Sequence, residues 1–323
     1  SHIKRMEKAD DLFNFTQTAI TERVFDMVGG SISIPPENFE MHSNVKKMLE
    51  SRKMSLLSGD KIDWATAELL AYGSLMLEGY KIRLSGEDAE RGTFSHRHSV
   101  YYDQKTSRKY YPLNNIKADG VESFEVINSL LSEYGVLGFE YGYSISAPNI
   151  LTVWEAQYGD FSNGAVTIYD QYISSGEDKW LRMSGLVTLL PHGFEGQGPE
   201  HSSARLERYL AYAAENNLII CNFTTPANLF HALRRQLKMP FRKPLILMSP
   251  KSGLRNKMNV SNMKEFTEGA FKPIIFDDEA NYKTAKKVLF VSGKLFYELH
   301  EERKKLGLEK DVSITKGITQ LHI

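Results

Sequence analysis

Apolar residues in the first third of the chain recur at the spacing of amphipathic helices. A loose helical pattern over residues 12–27 ends at a glycine- and proline-containing stretch, and a second pattern covers 45–54. Asp63 then precedes a dense run of apolar and small residues from 64 to 76, which predicts a helix that packs closely against another element. The pattern therefore predicts a helical lead-in over residues 1–58 and a strong helix after it.

Strands and helices alternate from about residue 81. Short apolar runs predict strands over 81–84, 151–154, 186–190, 218–223 and 244–248. Intervening segments have helical spacing, at 137–146, 163–174, 203–214 and 227–237. Short apolar strands between helices are typical of a parallel sheet covered by helices on both faces. The predicted fold class is therefore α/β, with this sheet in a domain that covers residues 59–250.

The last quarter of the chain predicts a second, smaller unit. Residues 252–271 are polar and predict a linker, whereas the apolar run 288–291 predicts a strand that ends at Gly293. A helix over 295–304 and a strand over 312–315 follow. We therefore expect a linker over residues 251–275 and a small or truncated α/β domain over 276–323.

Composition narrows the class of protein. The chain has 40 Lys and Arg and 40 Asp and Glu residues, without a basic cluster, so we expect no nucleic-acid partner. No apolar run approaches the ~18 residues that cross a bilayer, so we expect no membrane span. Cys221 is the single cysteine, which fits a reducing compartment. The sequence has neither a His-Glu-x-x-His motif nor paired cysteines, and we expect no metal site within it.

Residues whose side chains could bind a ligand or take part in catalysis are concentrated in the segment 189–208. An apolar run leads into three glycines and two prolines, and His192 and His201 lie among them. Loops after the strands of an α/β sheet commonly carry binding and catalytic residues. The segment therefore predicts a ligand loop, and an ordinary loop with solvated polar residues is the alternative.

Two further segments carry candidate residues. Glu133 precedes a glycine-rich helical pattern, where it is either a partly buried carboxyl group that exchanges a proton or a helix N-terminal carboxylate stabilised by the helix dipole. Tyr158 and Phe161 follow a predicted strand, at a typical ligand position of an open α/β sheet.

The stretch 91–98 contains His96 and His98 on either side of Arg97. The intervening guanidinium disfavours a metal ion, because like charges repel. We interpret this stretch as an anion-facing or interface loop, with a plain surface loop as the alternative.

Five strings together resemble the thiamine-diphosphate-dependent decarboxylating component of 2-oxoglutarate dehydrogenase. The similarity extends from about residue 35 to about residue 305, and the strings cover 85–98, 131–143, 154–161, 189–208 and 224–236. The order of elements is also similar to the beta subunit of branched-chain and pyruvate dehydrogenases and to the pyrimidine-binding half of transketolase. The resemblance implies a transketolase-like pyrimidine-binding domain followed by the start of a C-terminal domain.

The resemblance also implies roles for individual residues. Glu133 matches the glutamate that hydrogen-bonds a pyrimidine nitrogen of thiamine diphosphate, and either Tyr158 or Phe161 matches the aromatic residue that packs on the pyrimidine. His192 matches a histidine near the reacting keto acid. His201 matches a histidine near the reactive carbon and the incoming lipoyl arm. Glu87 and Asp88 match an acidic pair near a dimer interface, and together with His96 and His98 they complete the set of candidates.

The family's diphosphate-binding motif, which holds magnesium, has no counterpart in this chain; Ala118–Gly120 lacks the continuation. The resemblance therefore implies that magnesium is bound only through a missing diphosphate-binding half. We expect the chain to be inactive alone, and to work in a homodimer or heterotetramer with a lipoyl-bearing acyltransferase. The implied reaction is oxidative decarboxylation of 2-oxoglutarate with succinyl transfer in the tricarboxylic acid cycle, in a bacterial cytoplasm or the mitochondrial matrix.

Three questions stay open at the level of sequence. The substrate is either 2-oxoglutarate or the one-carbon-longer 2-oxoadipate. The chain is either part of a larger component or a beta-like subunit of a two-chain enzyme. A non-catalytic scaffold or regulatory module that kept the fold is the third alternative, and retention of Glu133, His192 and His201 argues against it.

Overall fold

The computed structural model describes residues 3–116, 123–280 and 282–317, so Ala118–Gly120 and the last six residues lie outside the described part. Short 3-10 turns occur at several connections, and a π-helical turn spans Tyr169–Ile173. The α-helices are α1 (Glu22–Ser33), α2 (Ser43–Ser58), α3 (Trp64–Leu77), α4 (Glu133–Ser146), α5 (Val166–Ile168), α6 (Gly176–Trp180), α7 (Leu206–Tyr212), α8 (Pro226–Lys238), α9 (Met263–Thr267) and α10 (Leu295–Leu306).

The strands form a large sheet, a small sheet and a short hairpin. They are β1 (Lys81–Gly86), β2 (Tyr101–Tyr102), β3 (Lys109–Tyr110), β4 (Phe124–Asn128), β5 (Ile150–Glu155), β6 (Val187–Pro191), β7 (Ile219–Cys221), β8 (Leu245–Ser249), β9 (Ile274–Ile275), β10 (Lys287–Val291) and β11 (Val312–Gly317).

The large sheet has the strand order β4-β1-β5-β6-β8-β7, and every pair in it is parallel. Successive side chains of a strand point to opposite faces. Accordingly, Leu189 packs in the core shared with α1, α3 and α8, whereas Leu190 packs in the core under α4 and α7. The predicted α/β class, with helices on both faces of a parallel sheet, is confirmed.

Asp63 caps α3 as its sequence position predicts: its Oδ1 accepts a hydrogen bond from the backbone N–H of Thr66 at 2.8 Å. The helix that follows is buried along nearly its whole length. Small side chains permit this, because Gly73 lies so close to α1 that an added Cβ would meet a methyl group of Val28 at 2.5 Å. The close packing expected of this helix is therefore present.

The small sheet has the order β10-β11-β9, in which β10 and β11 are parallel and β9 is antiparallel to β11. The segment before it, where the sequence predicts a linker, contains α9 and the fully buried Phe266. Phe266 packs against Phe25 of α1 and Phe230 of α8, with ring centroids 6.1 and 5.1 Å apart. This segment is therefore packed against the large domain, and the exact domain boundaries stay a prediction.

The helix predicted over 203–214 is shorter than expected, because α7 begins only at Leu206. Side chains accept hydrogen bonds from the backbone N–H groups before it. The N–H of Ser203 donates to Asp160 Oδ1, and the N–H of Ala204 donates to His192 Nδ1. Arg205 has a left-handed backbone with φ of 60°. The residues before Leu206 are thus held as a loop by contacts with other parts of the chain.

In the described part of the chain, no helix is long and apolar enough to cross a lipid bilayer.

Candidate functional site

The candidate site lies at the carboxyl edge of the large sheet. Strands β5, β6 and β8 are parallel neighbours, so the segments that follow them meet at one edge. Tyr158 follows β5, His192 follows β6 and Lys251 follows β8. Ligands of open α/β sheets bind at this edge, and the loop predicted from its glycines and histidines lies there.

Tyr158 is the centre of an aromatic cluster at this edge. Its ring makes edge-to-face contacts with three other rings: Phe161 at 5.3 Å, His201 at 4.8 Å and Phe94 at 6.2 Å between centroids. Such geometry is favourable because the positive edge of one ring meets the negative face of another. The structure therefore brings together Tyr158, Phe161 and His201, and adds Phe94, which the sequence did not single out.

His201 is held by the fold of the glycine-rich loop. The loop folds back on itself, with the backbone N–H of Glu195 donating to the carbonyl of His201 at 3.0 Å. Gly196 has φ of +101°, and a Cβ built on it would lie 2.6 Å from the ring of His201. Only glycine permits both this backbone and this contact. The carboxylate of Glu200 lies 3.6 Å from Nε2 of His201.

His192 is half-buried at the start of the same loop. Its Nδ1 accepts a hydrogen bond from the backbone N–H of Ala204 at 3.1 Å. Burial, and next the charge of Lys251, lower the pKa of the imidazole from its ordinary value. The lowered pKa favours the neutral form of the ring.

Lys251 and Asp160 also lie in the candidate site, and neither was singled out as a candidate from the sequence. Lys251 is buried, its Nζ lies 5.7 Å from the centre of the Tyr158 ring, and Nζ has no hydrogen-bond partner among the described residues. Burial lowers the pKa of this amine. Asp160 accepts from Ser203 through Oδ1, whereas Oδ2 is buried without a partner in the described part. The position of Lys251 in the sequence could have indicated it, because Lys251 follows a buried strand at the same edge as Tyr158 and His192.

Glu133 is the first residue of α4 and is half-buried. Its Oε2 faces Gly164, where a Cβ would stand 3.5 Å away. Gly164 belongs to the same 3-10 turn as Phe161, which contacts Tyr158. The structure thus brings Glu133 to the edge of the aromatic cluster, with an open position beside its carboxylate.

Asp88 belongs to a polar network beside the cluster. Its Oδ2 accepts from Gln157 Nε2 at 3.2 Å and from Arg91 at 2.9 Å, and the Gln157 Oε1 accepts from the hydroxyl of Thr93. The neighbouring Glu87 is exposed. Asp88 therefore anchors Gln157 directly before Tyr158.

The interpretation of residues 91–98 as an anion-facing, interface or plain surface loop is wrong for Arg97. The guanidinium is fully buried, where it pairs with Glu68 of α3 and Glu155 of β5. Its charge is therefore satisfied inside the protein, and it faces no external anion.

His96 and His98 are partly buried beside Arg97. Burial and the adjacent Arg97 hold the pKa of His96 well below its ordinary value, and burial with Arg52 and Arg91 lowers the pKa of His98 to about 4. Among the described residues, no group of three or more His, Cys, Asp or Glu side chains is arranged to hold a metal ion.

Residues 60–257 match the family model described as "Transketolase, pyrimidine binding domain". The chain belongs to this family. The match covers the whole large sheet and every residue of the aromatic cluster. Residues 260–322 match a second model, described as "2-oxoglutarate dehydrogenase C-terminal". The resemblance drawn from the five strings is confirmed by both matches.

Full-length proteins of similar sequence support the same family relationship. The chain is 54% identical over 305 residues to proteins named 2-oxoglutarate dehydrogenase E1 component from Brucella ovis, Brucella canis and Brucella anthropi. In each case the aligned part is 91% of this chain and 30% of the relative. The chain therefore spans about a third of the length of the curated relatives that it matches.

Proposed function

We propose that this chain is the pyrimidine-binding and C-terminal part of a thiamine-diphosphate-dependent enzyme that decarboxylates 2-oxoglutarate. The observation that carries the proposal is the position of Glu133, which opens α4 beside the turn that holds Phe161 against Tyr158. A carboxyl group next to an aromatic wall matches an aminopyrimidine, which has a ring nitrogen at its edge and a flat apolar face. The residues present therefore fit the pyrimidine end of the cofactor.

The chain's own residues bind and orient in this proposal. Glu133 shares a proton with the pyrimidine ring through the carboxylate oxygen that faces Gly164. Phe161 and Tyr158 provide the apolar surface, and Gly164 leaves the space that a side chain would fill. His192 and His201 lie at the same edge and contact the oxo acid or the acyl acceptor. When bound, thiamine diphosphate supplies the electron sink that a 2-oxo acid needs to lose carbon dioxide.

The half-buried state of Glu133 supports a requirement for a second protein surface. A carboxyl group that shares a proton with a ring works best away from bulk water. Several apolar side chains near Glu133 in the sequence, and Phe161 of the turn that holds Gly164, are open to solvent, which is unusual for a surface that stays uncovered: they are Leu130, Leu131, Tyr134, Phe139 and Phe161. We propose that a diphosphate-binding half, which also brings the magnesium ion, covers this face in a dimeric enzyme.

The relatives' printed names support the substrate and the partner. By that analogy the acyl group is succinyl, it passes to the lipoyl arm of an acyltransferase, and the reaction serves the tricarboxylic acid cycle. The compartment proposed is the bacterial cytoplasm or the mitochondrial matrix. Within the site, Glu133, Tyr158 and Phe161 are proposed to bind the cofactor, and Glu133, His192 and His201 are proposed to take part in catalysis. Glu87, Asp88, His96 and His98 are kept as further candidates.

A chimera tests this proposal. This chain would replace the matching 30% of the Brucella ovis relative, so that the remaining part supplies the diphosphate-binding half. We expect the chimera to release carbon dioxide from 2-oxoglutarate, and Glu133→Ala to lower turnover by at least about 10²-fold, the usual contribution of a proton-transferring group. Glu133→Gln should also fail, because an amide cannot carry the shared proton.

Glu22 offers a matched control. It is also the first residue of a helix, α1, and it is exposed, so Glu22→Ala removes a helix N-terminal carboxylate without touching the site. We expect full turnover from that variant. An active chimera with unchanged turnover after Glu133→Ala would contradict the assigned role. A folded chimera that never turns over 2-oxoglutarate would instead favour the scaffold alternative.

A further inference from the structure

The hydrogen bond that His192 accepts determines which of its nitrogens carries the proton. The backbone N–H of Ala204 lies 3.1 Å from Nδ1 and can only donate, so Nδ1 must present a lone pair. The proton of the neutral ring is then on Nε2. Ala204 is itself fixed, since the neighbouring Ser203 N–H bonds Asp160 and a Cβ on Gly159 would meet Ala204 at 2.5 Å.

Both the hydrogen bond from Ala204 and nearby charged groups affect whether this ring can take a second proton. A second proton would place an N–H at Nδ1 directly against the N–H of Ala204, so that two donors would face one another. Four charged groups act on the ring from the surrounding elements: Lys251 after β8 and Lys294 before α10 disfavour the cation, whereas Asp160 and Glu207 favour it. Lys251 is buried, whereas Glu207 is exposed. The backbone N–H of His192 donates to the carbonyl of Ser249 at 3.0 Å, so the segment that carries Lys251 lies directly beside this ring.

Lys251 is not neutralised by a direct ion pair in the described part of the chain. The three carboxylates that act on its charge are Asp160, Glu195 and Glu200. Each has another contact: Asp160 accepts from Ser203, Glu195 accepts from the backbone N–H of Ser252, and Glu200 lies beside His201. Among the described residues, none of the three carboxylates therefore cancels the charge of its ammonium form by a direct ion pair.

We propose that His192 acts as a neutral hydrogen-bond donor through Nε2–H, and that Lys251 is the positioning residue that keeps it in this form. The proposal rests on the proposed function for the identity of the group that accepts this hydrogen bond. That group is a negatively charged oxygen of a 2-oxo acid. A fixed donor stabilises such an oxygen without gaining or losing a proton. His192 then does not act as a general base.

The protonation state can be read directly from the chain, without cofactor or turnover. Long-range ¹H–¹⁵N correlation spectra of ¹⁵N-histidine-labelled protein distinguish a nitrogen that carries a proton from one with a lone pair. We expect a protonated Nε2 and an unprotonated Nδ1 for His192 at neutral pH. Assignment comes from the loss of one ring in His192→Gln. A protonated Nδ1, or a doubly protonated ring, would overturn the proposal.

Lys251 is tested by a set of matched variants in the same spectra. Lys251→Met should shift the pKa of His192 upward, and Lys251→Arg, which keeps the charge, should restore it toward the parent value. Lys294→Met removes the more exposed cation near the same ring and should shift it less. The His231 signals report whether each variant is folded, because that ring is buried between Thr18 and Glu265. An unshifted His192 in folded Lys251→Met would refute the role of Lys251.

Turnover of the chimera distinguishes donation from base catalysis. Glutamine can present an N–H near the position of Nε2, so a donor role predicts higher turnover for His192→Gln than for His192→Leu. Equal loss in the two variants would count against donation. If the chimera is inactive throughout, the proposed function fails, while the spectra still decide the state of His192.

Discussion

The carboxylate of Glu155 is paired with the guanidinium of Arg97, and both side chains are buried. Glu155 ends β5, three residues before Tyr158, and Arg97 also reaches Glu68 of α3 through Nε at 2.8 Å. The hydroxyl of Tyr72 donates to Glu68 at 2.8 Å. One buried cation thus joins α3, β5 and the 91–98 segment, which also carries Phe94 of the aromatic cluster.

Arg97→Met should destabilise the protein strongly, because it leaves two buried carboxylates without their cation. We expect a loss of about 3–5 kcal/mol in the free energy of unfolding, the usual cost of breaking a buried ion pair from one side. Urea unfolding followed by circular dichroism measures it. Arg91→Met is the control, since Arg91 pairs with Asp88 at the surface and should cost at most about 1 kcal/mol.

The loss caused by Arg97→Met should also depend on pH. Burial already raises the pKa of Glu155 in the parent protein, and removal of the cation raises it further. A carboxyl group whose pKa is raised by folding stabilises the protein below its unfolded pKa and loses that contribution as the pH rises. The variant should therefore lose more stability at alkaline than at mildly acidic pH. A pH-independent deficit would speak against an unpaired carboxylate as its cause.

Gly159→Ala should disturb the histidine loop. An added Cβ would lie 2.5 Å from the carbonyl oxygen of Pro191 and from the Cβ of Ala204, so the backbone on one side must move. We expect a cost of about 1–3 kcal/mol, typical of overpacking, and a change in the His192 ring signals. Gly142→Ala is the matched control: nothing lies within 4 Å of its Cβ, and alanine should stabilise α4 by up to about 1 kcal/mol.

His231 should make the protein lose stability in acid. The buried ring donates from Nε2 to the carbonyl of Glu265 and accepts at Nδ1 from the hydroxyl of Thr18. Burial lowers its pKa from 6.5 to about 4, so its contribution is present above pH 6.5 and is lost as the pH falls toward 4. The full effect is about 3 kcal/mol.

Thermal or urea unfolding across this pH range measures the contribution. His231→Gln removes the titrating ring, and its stability should fall less than that of the parent on acidification. Thr18→Val keeps the ring but removes the hydroxyl that occupies Nδ1, and should give an intermediate profile. Parallel profiles for the parent and His231→Gln would assign the acid sensitivity to other groups.

Much of the fold follows from local pattern. Asp63 and the apolar run after it predicted α3, and short apolar runs predicted β5, β6 and β8. These predictions are confirmed because buried strands and capped helices leave a signature within a few neighbouring residues. The predicted start of α7 was wrong because it depends on distant contacts: the backbone N–H groups before Leu206 donate to side chains from elsewhere in the chain.

The residues of the candidate site also differ in whether the local sequence could reveal them. Tyr158, His192 and His201 were candidates from the sequence because each follows a strand in a segment with recognisable residues, and their roles stay a prediction. Lys251 was missed, because a single lysine after a strand is ordinary until its burial is known. Arg97 was misjudged because its partners, Glu68 and Glu155, lie 29 and 58 residues away.

The sequence by itself determined the α/β alternation, the strand ends that carry the candidate residues and the resemblance of five strings to one family. Only the tertiary structure decided that Arg97 is internal, that the Lys251 amine is buried without a hydrogen-bond partner among the described residues and that His192 accepts at Nδ1. The physical reason is that strand and helix patterns are set by near neighbours. The charge and tautomer of a side chain depend instead on burial and on partners that only folding brings together.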